Sequence, residues 1–537
     1  MKKNLLSLLS AAAISMWSVS GFAQTRYLDE VFDTSELTVH TDVTYGSNYE
    51  VLTGAPVLID LKMDVYEPNQ AIDTETDRPL FIYIHTGNFL PIVINGSATG
   101  QRIDSTAVEM CKQWARRGYV AASIDYRLGW NPLDTTAEGR RAGLLMAVFR
   151  AIVDTKTAVR YFKKDAATTD TYRIDPDKIA LFGEGSGGYV ALAYATMDKF
   201  SEVSLPKFTY AATGQSYVDT MLFGNLDGFG GMFNNDNHVG YDADVNMFVN
   251  IGGALADTSW LEGGEGAFVS FHAMRDPFAP FEQGIVIVPT TQENVVEVQG
   301  ANVWMQKVRD FGNNAAFANL SFSGDPYTAR ARSMYGQTYD NWSLINPTVT
   351  VGNDLEGLFP VETPFSPVQF FNNSSPWQWW DLNVLNFVVA AINAQTGGSF
   401  VAQDIHNNGL LSNPNMGPAQ GRTYIDTIQG YMLPRVMTQF QLPGYETFSV
   451  DESEELARAI AVYPNPAVDE VTVKLNDRTE QIERVSVTNV MGQQIEVVSD
   501  IMSKSVSIEV SSWPAGMYTV QVMLDNGKAT TRTFVVK

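Results

Sequence analysis

Ile179-Ala180-Leu181-Phe182-Gly183-Glu184-Gly185-Ser186-Gly187-Gly188 decides how this chain is read. A short continuous apolar run is what a strand buried on both faces looks like. It ends in four glycines within six positions, 183–188. Glycine admits backbone conformations and close approaches that other residues resist, so the strand is expected to turn sharply there. Residues 189–197 then read as a helix. Strand, tight turn and helix in immediate succession place any chemistry at the turn.

The neighbouring segments repeat this alternation. Residues 80–84 and 119–124 are apolar runs, and 106–117 is a helix between them, with Thr106 and Glu109 as its capping box and Gly118 as its stop. Residues 144–162 form a long helix with Leu145, Val148, Ile152, Val159 and Phe162 on one face. Two more apolar strands are expected at 245–251 and 267–271. Upstream, 56–66 alternates Val57, Ile59, Leu61, Met63 and Val65 with Asp60, Lys62 and Asp64, the pattern of a half-buried antiparallel strand. This order predicts an α/β fold: a mostly parallel sheet with helices on both faces. Ligands in such sheets sit beyond the carboxyl ends of the strands, here in the loops after Ile84, Phe182 and Phe271.

From 285 to 442 the periodicity weakens, and the region reads as the rest of the sheet plus a large insertion or cap. Trp377, Trp379 and Trp380 within it are either packed core residues or stacking platforms for a sugar. Residues 451–460 read as an acidic linker. Beyond them the pattern changes to short strands at 471–475, 485–490, 506–510, 518–522 and 530–536, with Asp525-Asn526-Gly527-Lys528 as a hairpin turn. Five such strands without a helix predict a small all-β, immunoglobulin-like sandwich over 461–537.

Residues 1–24 combine Lys2-Lys3, an apolar run too short to span a bilayer, and small residues near Gly21 and Ala23, which is the pattern of a secretory signal peptide. The body then occupies 25–450. No other stretch reads as transmembrane. The net charge of −24 repels phosphate backbones, so nucleic acid is not an expected partner. The single cysteine, Cys111, excludes an internal disulfide and reads as a buried small hydrophobe. No clustered His/Cys/Asp/Glu motif suggests a metal, and no cofactor is expected.

Two resemblances follow from particular motifs. Val462-Tyr463-Pro464-Asn465-Pro466-Ala467, Asn489-Val490-Met491-Gly492-Gln493, Pro514-Ala515-Gly516-Met517-Tyr518 and the terminal Phe534-Val535-Val536-Lys537 resemble the C-terminal sorting domain of the type IX secretion system. That resemblance implies the secretion machinery as a partner, and a destination in the medium or on the cell surface. The body resembles esterases of the α/β-hydrolase superfamily. Leu61-Lys62-Met63-Asp64-Val65-Tyr66-Glu67-Pro68 matches an early strand. His85-Thr86-Gly87-Asn88-Phe89 stands where the family has a His-Gly-Gly-Gly-Phe loop. Ser123-Ile124-Asp125-Tyr126-Arg127 matches a strand end, and His272-Ala273-Met274-Arg275-Asp276-Pro277 the segment that delivers the catalytic acid.

The family's elbow reads Gly-Glu-Ser-Ala-Gly-Gly, so the nucleophile position falls on Gly185, which has no side chain to attack with. The nearest hydroxyl is Ser186, placed either to cap the following helix or to act as a displaced nucleophile. Asp276 is read either as the triad acid or as a turn residue before Pro277. Among five histidines only His406 follows Asp276, in a segment expected to be a loop. Gly87 and Asn88 would supply oxyanion-hole N–H groups. Two functions remain open: a non-catalytic pseudo-hydrolase that binds an ester or glycan ligand, and an esterase cleaving acyl or glycan-linked esters through Ser186, His406 and Asp276.

Overall fold

The computed structural model describes residues 25–52, 54–287, 293–318, 320, 325–340, 348–363, 374–445, 456, 459–476, 478–489, 494–525 and 528–537. Residues 1–24, expected to be a signal peptide, most of the expected linker, Met491-Gly492 and Asn526-Gly527 lie outside them. The chain divides into two compact units, Thr25–Ser449 and Val450–Lys537.

The larger unit is organised by eight strands: β1 (Leu37–Glu50), β2 (Val57–Pro68), β3 (Arg78–Ile84), β4 (Val120–Ile124), β5 (Ile174–Glu184), β6 (Met247–Ile251), β7 (Ala267–Ala273) and β8 (Leu358–Val361). Their order across the sheet is β1-β2-β4-β3-β5-β6-β7-β8. β1 and β2 are antiparallel, as is the β2–β4 pair, and every pairing from β4 to β8 is parallel. This is the α/β architecture expected from the alternation.

Side chains alternate along each strand and so feed two cores. Leu80, Ile82 and Ile84 pack with Val153, Val159 and Val190, from the helices Ala137–Thr168 and Ser186–Thr196. Phe81 and Tyr83 pack on the other face with Met110 and Trp114 of Ser105–Arg116, and with Tyr431 and Val436 of Pro418–Phe440. Cys111 is fully buried in this second core.

Several boundaries differ from expectation. The helix expected at 106–117 begins at Ser105 with Asp104 at its N-cap, and the Thr106 hydroxyl donates to the Trp377 carbonyl (3.1 Å) instead of closing a capping box. The helix expected at 144–162 runs Ala137–Thr168, started by Thr136, whose hydroxyl accepts from the Gly139 N–H (2.9 Å). The 285–442 region supplies a hairpin (Gln283–Ile287 with Asn294–Gln299), the last strand of the sheet, and the helices Leu382–Thr396, Ala402–Ser412 and Pro418–Phe440. Trp377, Trp379 and Trp380 are core residues, 0%, 8% and 9% exposed, which removes them as sugar platforms.

The smaller unit is a β-sandwich. Ile460–Tyr463, Glu470–Leu475 and Ser505–Glu509 form one sheet, and Gln494–Val498, Ile482–Asn489, Gly516–Leu524 and Ala529–Val536 the other. Val471, Val473, Val485, Val487, Val520 and Phe534 fill the space between them. Two of these strands, 460–463 and 494–498, were not expected.

Candidate active site

β5 ends at Glu184, and the chain reverses at Gly185 with φ 54° and ψ −115°. That left-handed conformation strains any residue with a Cβ. The Gly185 N–H donates to the Ile251 carbonyl at the end of β6 (2.7 Å), which pins the turn to the sheet. Gly187 is a close-approach position, since a Cβ there would overlap the Ile84 carbonyl and lie 2.9 Å from the His85 oxygen. The glycine-rich run is therefore a sharp elbow above the sheet, as its sequence suggested.

Ser186 is the first residue of the helix and does not cap it; the N-cap is Gly185, and no side chain caps the helix. The buried Ser186 hydroxyl instead accepts from the Asn88 backbone N–H (3.1 Å) and lies 3.4 Å from the Tyr126 hydroxyl. Tyr126 in turn donates to the His85 carbonyl (2.9 Å) and stacks on the His85 ring. Ser186 is thus a brace between the elbow and the 85–89 loop. Gly87, Asn88 and Phe89 take positive φ values of 118°, 55° and 58°, which turns this loop over the elbow. The N–H expected to stabilise an oxyanion at Asn88 is aimed at the Ser186 oxygen. The Ser186 N–H, at the helix start, has no acceptor within its own helix.

Asp276 follows β7 and accepts from the N–H groups of Phe278 (2.8 Å) and Ala279 (3.1 Å), so it shapes the turn through Pro277. Burial outweighs those two bonds and lifts its carboxyl to about 7. His406 lies on the helix Ala402–Ser412 rather than in a loop, and its Nδ1 accepts from the Trp380 indole N–H (3.0 Å). Among the described residues no hydrogen bond joins Ser186, Asp276 and His406. The other imidazoles are engaged elsewhere: His40 with Glu67, His85 with the Thr86 carbonyl, His238 with the Tyr45 carbonyl and His272 with the Ala279 carbonyl.

Glu184 contributes in a way the sequence did not reveal. Its buried carboxylate accepts from the Tyr83 hydroxyl (2.6 Å), the Trp377 indole (2.8 Å) and the Gln378 amide (2.7 Å). Burial raises its pKa, and these three donors oppose the rise. The inserted segment is thereby fastened to the elbow from below.

A cavity of about 260 Å³ opens above Gly185, Ser186 and Asp276. Leu144, Val148, Ile152, Trp260, Val286 and Val296 give its lining apolar surface, while Asn95, Thr99, Ser375, Gln378 and Asn408 add neutral amides and hydroxyls. Among the described residues Asp276 is the only acidic one in the lining, and none there is a lysine, arginine or histidine. Among the described residues no group of histidine, cysteine or carboxylate side chains is arranged to hold a metal, and no helix is long and apolar enough to cross a membrane.

Comparison with known proteins finds two separate family matches. Residues 63–222 match the BD-FAE family, and residues 461–537 match the secretion system C-terminal sorting domain. No curated protein matches the chain. Solved structures similar to it include esterase 2 of Thermogutta terrifontis phosphorylated by paraoxon, at 18% identity over 46% of this chain and 75% of that one, with a TM-score of 0.29. The butyrate-bound form of the same planctomycete esterase matches at 18% identity over 47% and 78%, with a TM-score of 0.28. The sorting domain marks the chain for type IX export to the cell surface or medium. The chain thus joins an esterase-like α/β-hydrolase fold, similar to BD-FAE over residues 63–222, to a C-terminal secretion sorting domain.

Proposed function

We propose that the exported body is a pseudo-hydrolase: a binding module at the cell surface that holds an uncharged ester or glycan ligand without cleaving it. The observation that carries this reading is Gly185 at the nucleophile position, with every imidazole bonded away from Ser186. A serine nucleophile needs a base in hydrogen-bond reach, and Ser186 has a backbone N–H and a tyrosine there instead. The cavity suits an uncharged ligand because its described lining residues offer no cation to a carboxylate or phosphate. The purified chain should take up no fluorophosphonate probe, as read by intact mass, and should hydrolyse 4-nitrophenyl butyrate at the buffer rate, with Ser186→Ala indistinguishable from wild type.

One observation favours an active esterase. Ser186 and Asp276 line the same cavity, and a carboxyl near 7 is half ionised at neutral pH, where it serves as a general base. That reading requires turnover that rises as pH passes through about 7 and disappears in Ser186→Ala. Export is separable from either reading. Deleting residues 461–537 should leave the chain inside the cell envelope, and immunoblots of medium and surface fractions would record the loss.

A further inference from the structure

The missing nucleophile has a neighbour with a hydroxyl. A Cβ built on Gly185 would collide with Thr86 Oγ1 and lie 3.1 Å from Thr86 Cβ. Thr86 therefore occupies the volume that a nucleophile side chain needs. It stands at the first glycine position of the His-Gly-Gly-Gly-Phe loop that 85–89 resembles. One position has gained a hydroxyl side chain where the other has lost one.

The two hydroxyls at the elbow differ in what they touch. Ser186 is 6% exposed and committed to Asn88 and Tyr126. Thr86 lines the cavity, is only partly buried, and no hydrogen bond joins its Oγ1 to another described residue. Its carbonyl, by contrast, is held by His85 Nδ1 (2.5 Å) and faces the Tyr126 hydroxyl (3.3 Å), so its backbone is fixed. A fixed backbone with a free hydroxyl at the floor of a cavity is a positioned ligand contact.

We propose that Thr86 has taken the nucleophile's place as a non-covalent group: its hydroxyl fills the volume above Gly185 and donates a hydrogen bond to the carbonyl of an uncharged ester. No base stands within hydrogen-bond distance of Oγ1 among the described residues, so it holds the carbonyl and does not attack it. This rests on the binder reading above, and it also explains why Gly185 is fixed as glycine: a side chain at 185 and the hydroxyl at 86 exclude each other.

Two measurements on the full mature chain test it. Quenching of tryptophan fluorescence by intact 4-nitrophenyl butyrate reports binding, because Trp130 and Trp260 line the cavity. Thr86→Ala should weaken binding about 3–10-fold, the loss of one ordinary hydrogen bond, and Thr86→Ser should restore it. Separately, Gly185→Ala should lower the urea midpoint, and the drop should shrink by more than half when the same change is made in a Thr86→Gly background. Unchanged affinity in Thr86→Ala, or a fluorophosphonate adduct mapped to Thr86, would overturn the contact. Equal midpoint drops in both backgrounds would overturn the steric exchange. If wild type binds no ester, the binder reading falls and the contact falls with it, while the midpoint experiment still decides the exchange.

Discussion

Asp154→Ala should destabilise the larger unit by about 3–5 kcal/mol, enough to leave much of it unfolded at 37 °C. Asp154 and Arg127 are both fully buried, 2.8 Å apart at Oδ1 and the guanidinium. The carboxylate also accepts from the Arg127 N–H (2.8 Å) and Nε (2.9 Å), with Asn48 and Asn234 closing the polar pocket. Removing one partner strands the other charge in the core, and that desolvation dominates the loss. Arg127 directly follows Tyr126, which supports the 85–89 loop. The pair therefore ties the floor of the site to the helix Ala137–Thr168. Urea unfolding checks the size of the effect. Replacing both partners, as Arg127→Met with Asp154→Leu, should recover part of the loss, because the bridge is costly to break but a hydrophobic pair avoids burying charge at all.

A second large effect is pH dependence. Burial, with smaller contributions from Glu184 and Asp125, raises the Asp104 carboxyl to about 8, against the N–H bonds it accepts from Gly100 (2.6 Å) and Gln101 (3.1 Å). The folded state then keeps a proton that the unfolded chain releases near pH 4. Where the folded state binds the extra proton, stability falls as pH rises. The contribution is complete below about pH 4 and is lost progressively up to about pH 8. At about 1.4 kcal/mol per unit the total is on the order of 5 kcal/mol. Asp104→Asn keeps an acceptor for both N–H groups and carries no charge. It should match wild type near pH 4, exceed its stability by a few kcal/mol at pH 8.5, and flatten the slope between. Asp276 and Glu184 are shifted in the same direction and leave a residual slope. Urea midpoints across this range provide the check.

The parts legible in the sequence were those set by local pattern. Apolar runs gave the central strands, and the glycines of 183–188 marked the elbow because backbone conformation is written in residue type. β8 was not legible: Leu358-Phe359-Pro360-Val361 is too short to show a period, and its proline is tolerated because it lies at the edge of the sheet. β1 was missed because it is bulged and largely polar on its exposed positions. In the site, Gly185 and Asp276 could be placed from their motifs, but the partners of Glu184 and Ser186 could not. Trp377 is 193 residues from Glu184 and Asn88 is 98 from Ser186. Such contacts are tertiary and leave no periodic trace. Thr86 did carry a signal, a hydroxyl residue in a glycine position beside a glycine in a hydroxyl position, which is informative only when the two are considered together.

The bonds from Trp377 and Gln378 to Glu184 bear on how this protein can be divided. A shortened body ending near 285 would look like a minimal hydrolase on paper. It would lose β8 from the sheet edge, and it would leave a carboxylate under the elbow with two of its three donors gone. The late segment is thus internal scaffolding for an early loop, and the body is to be cloned, evolved or grafted as one indivisible piece.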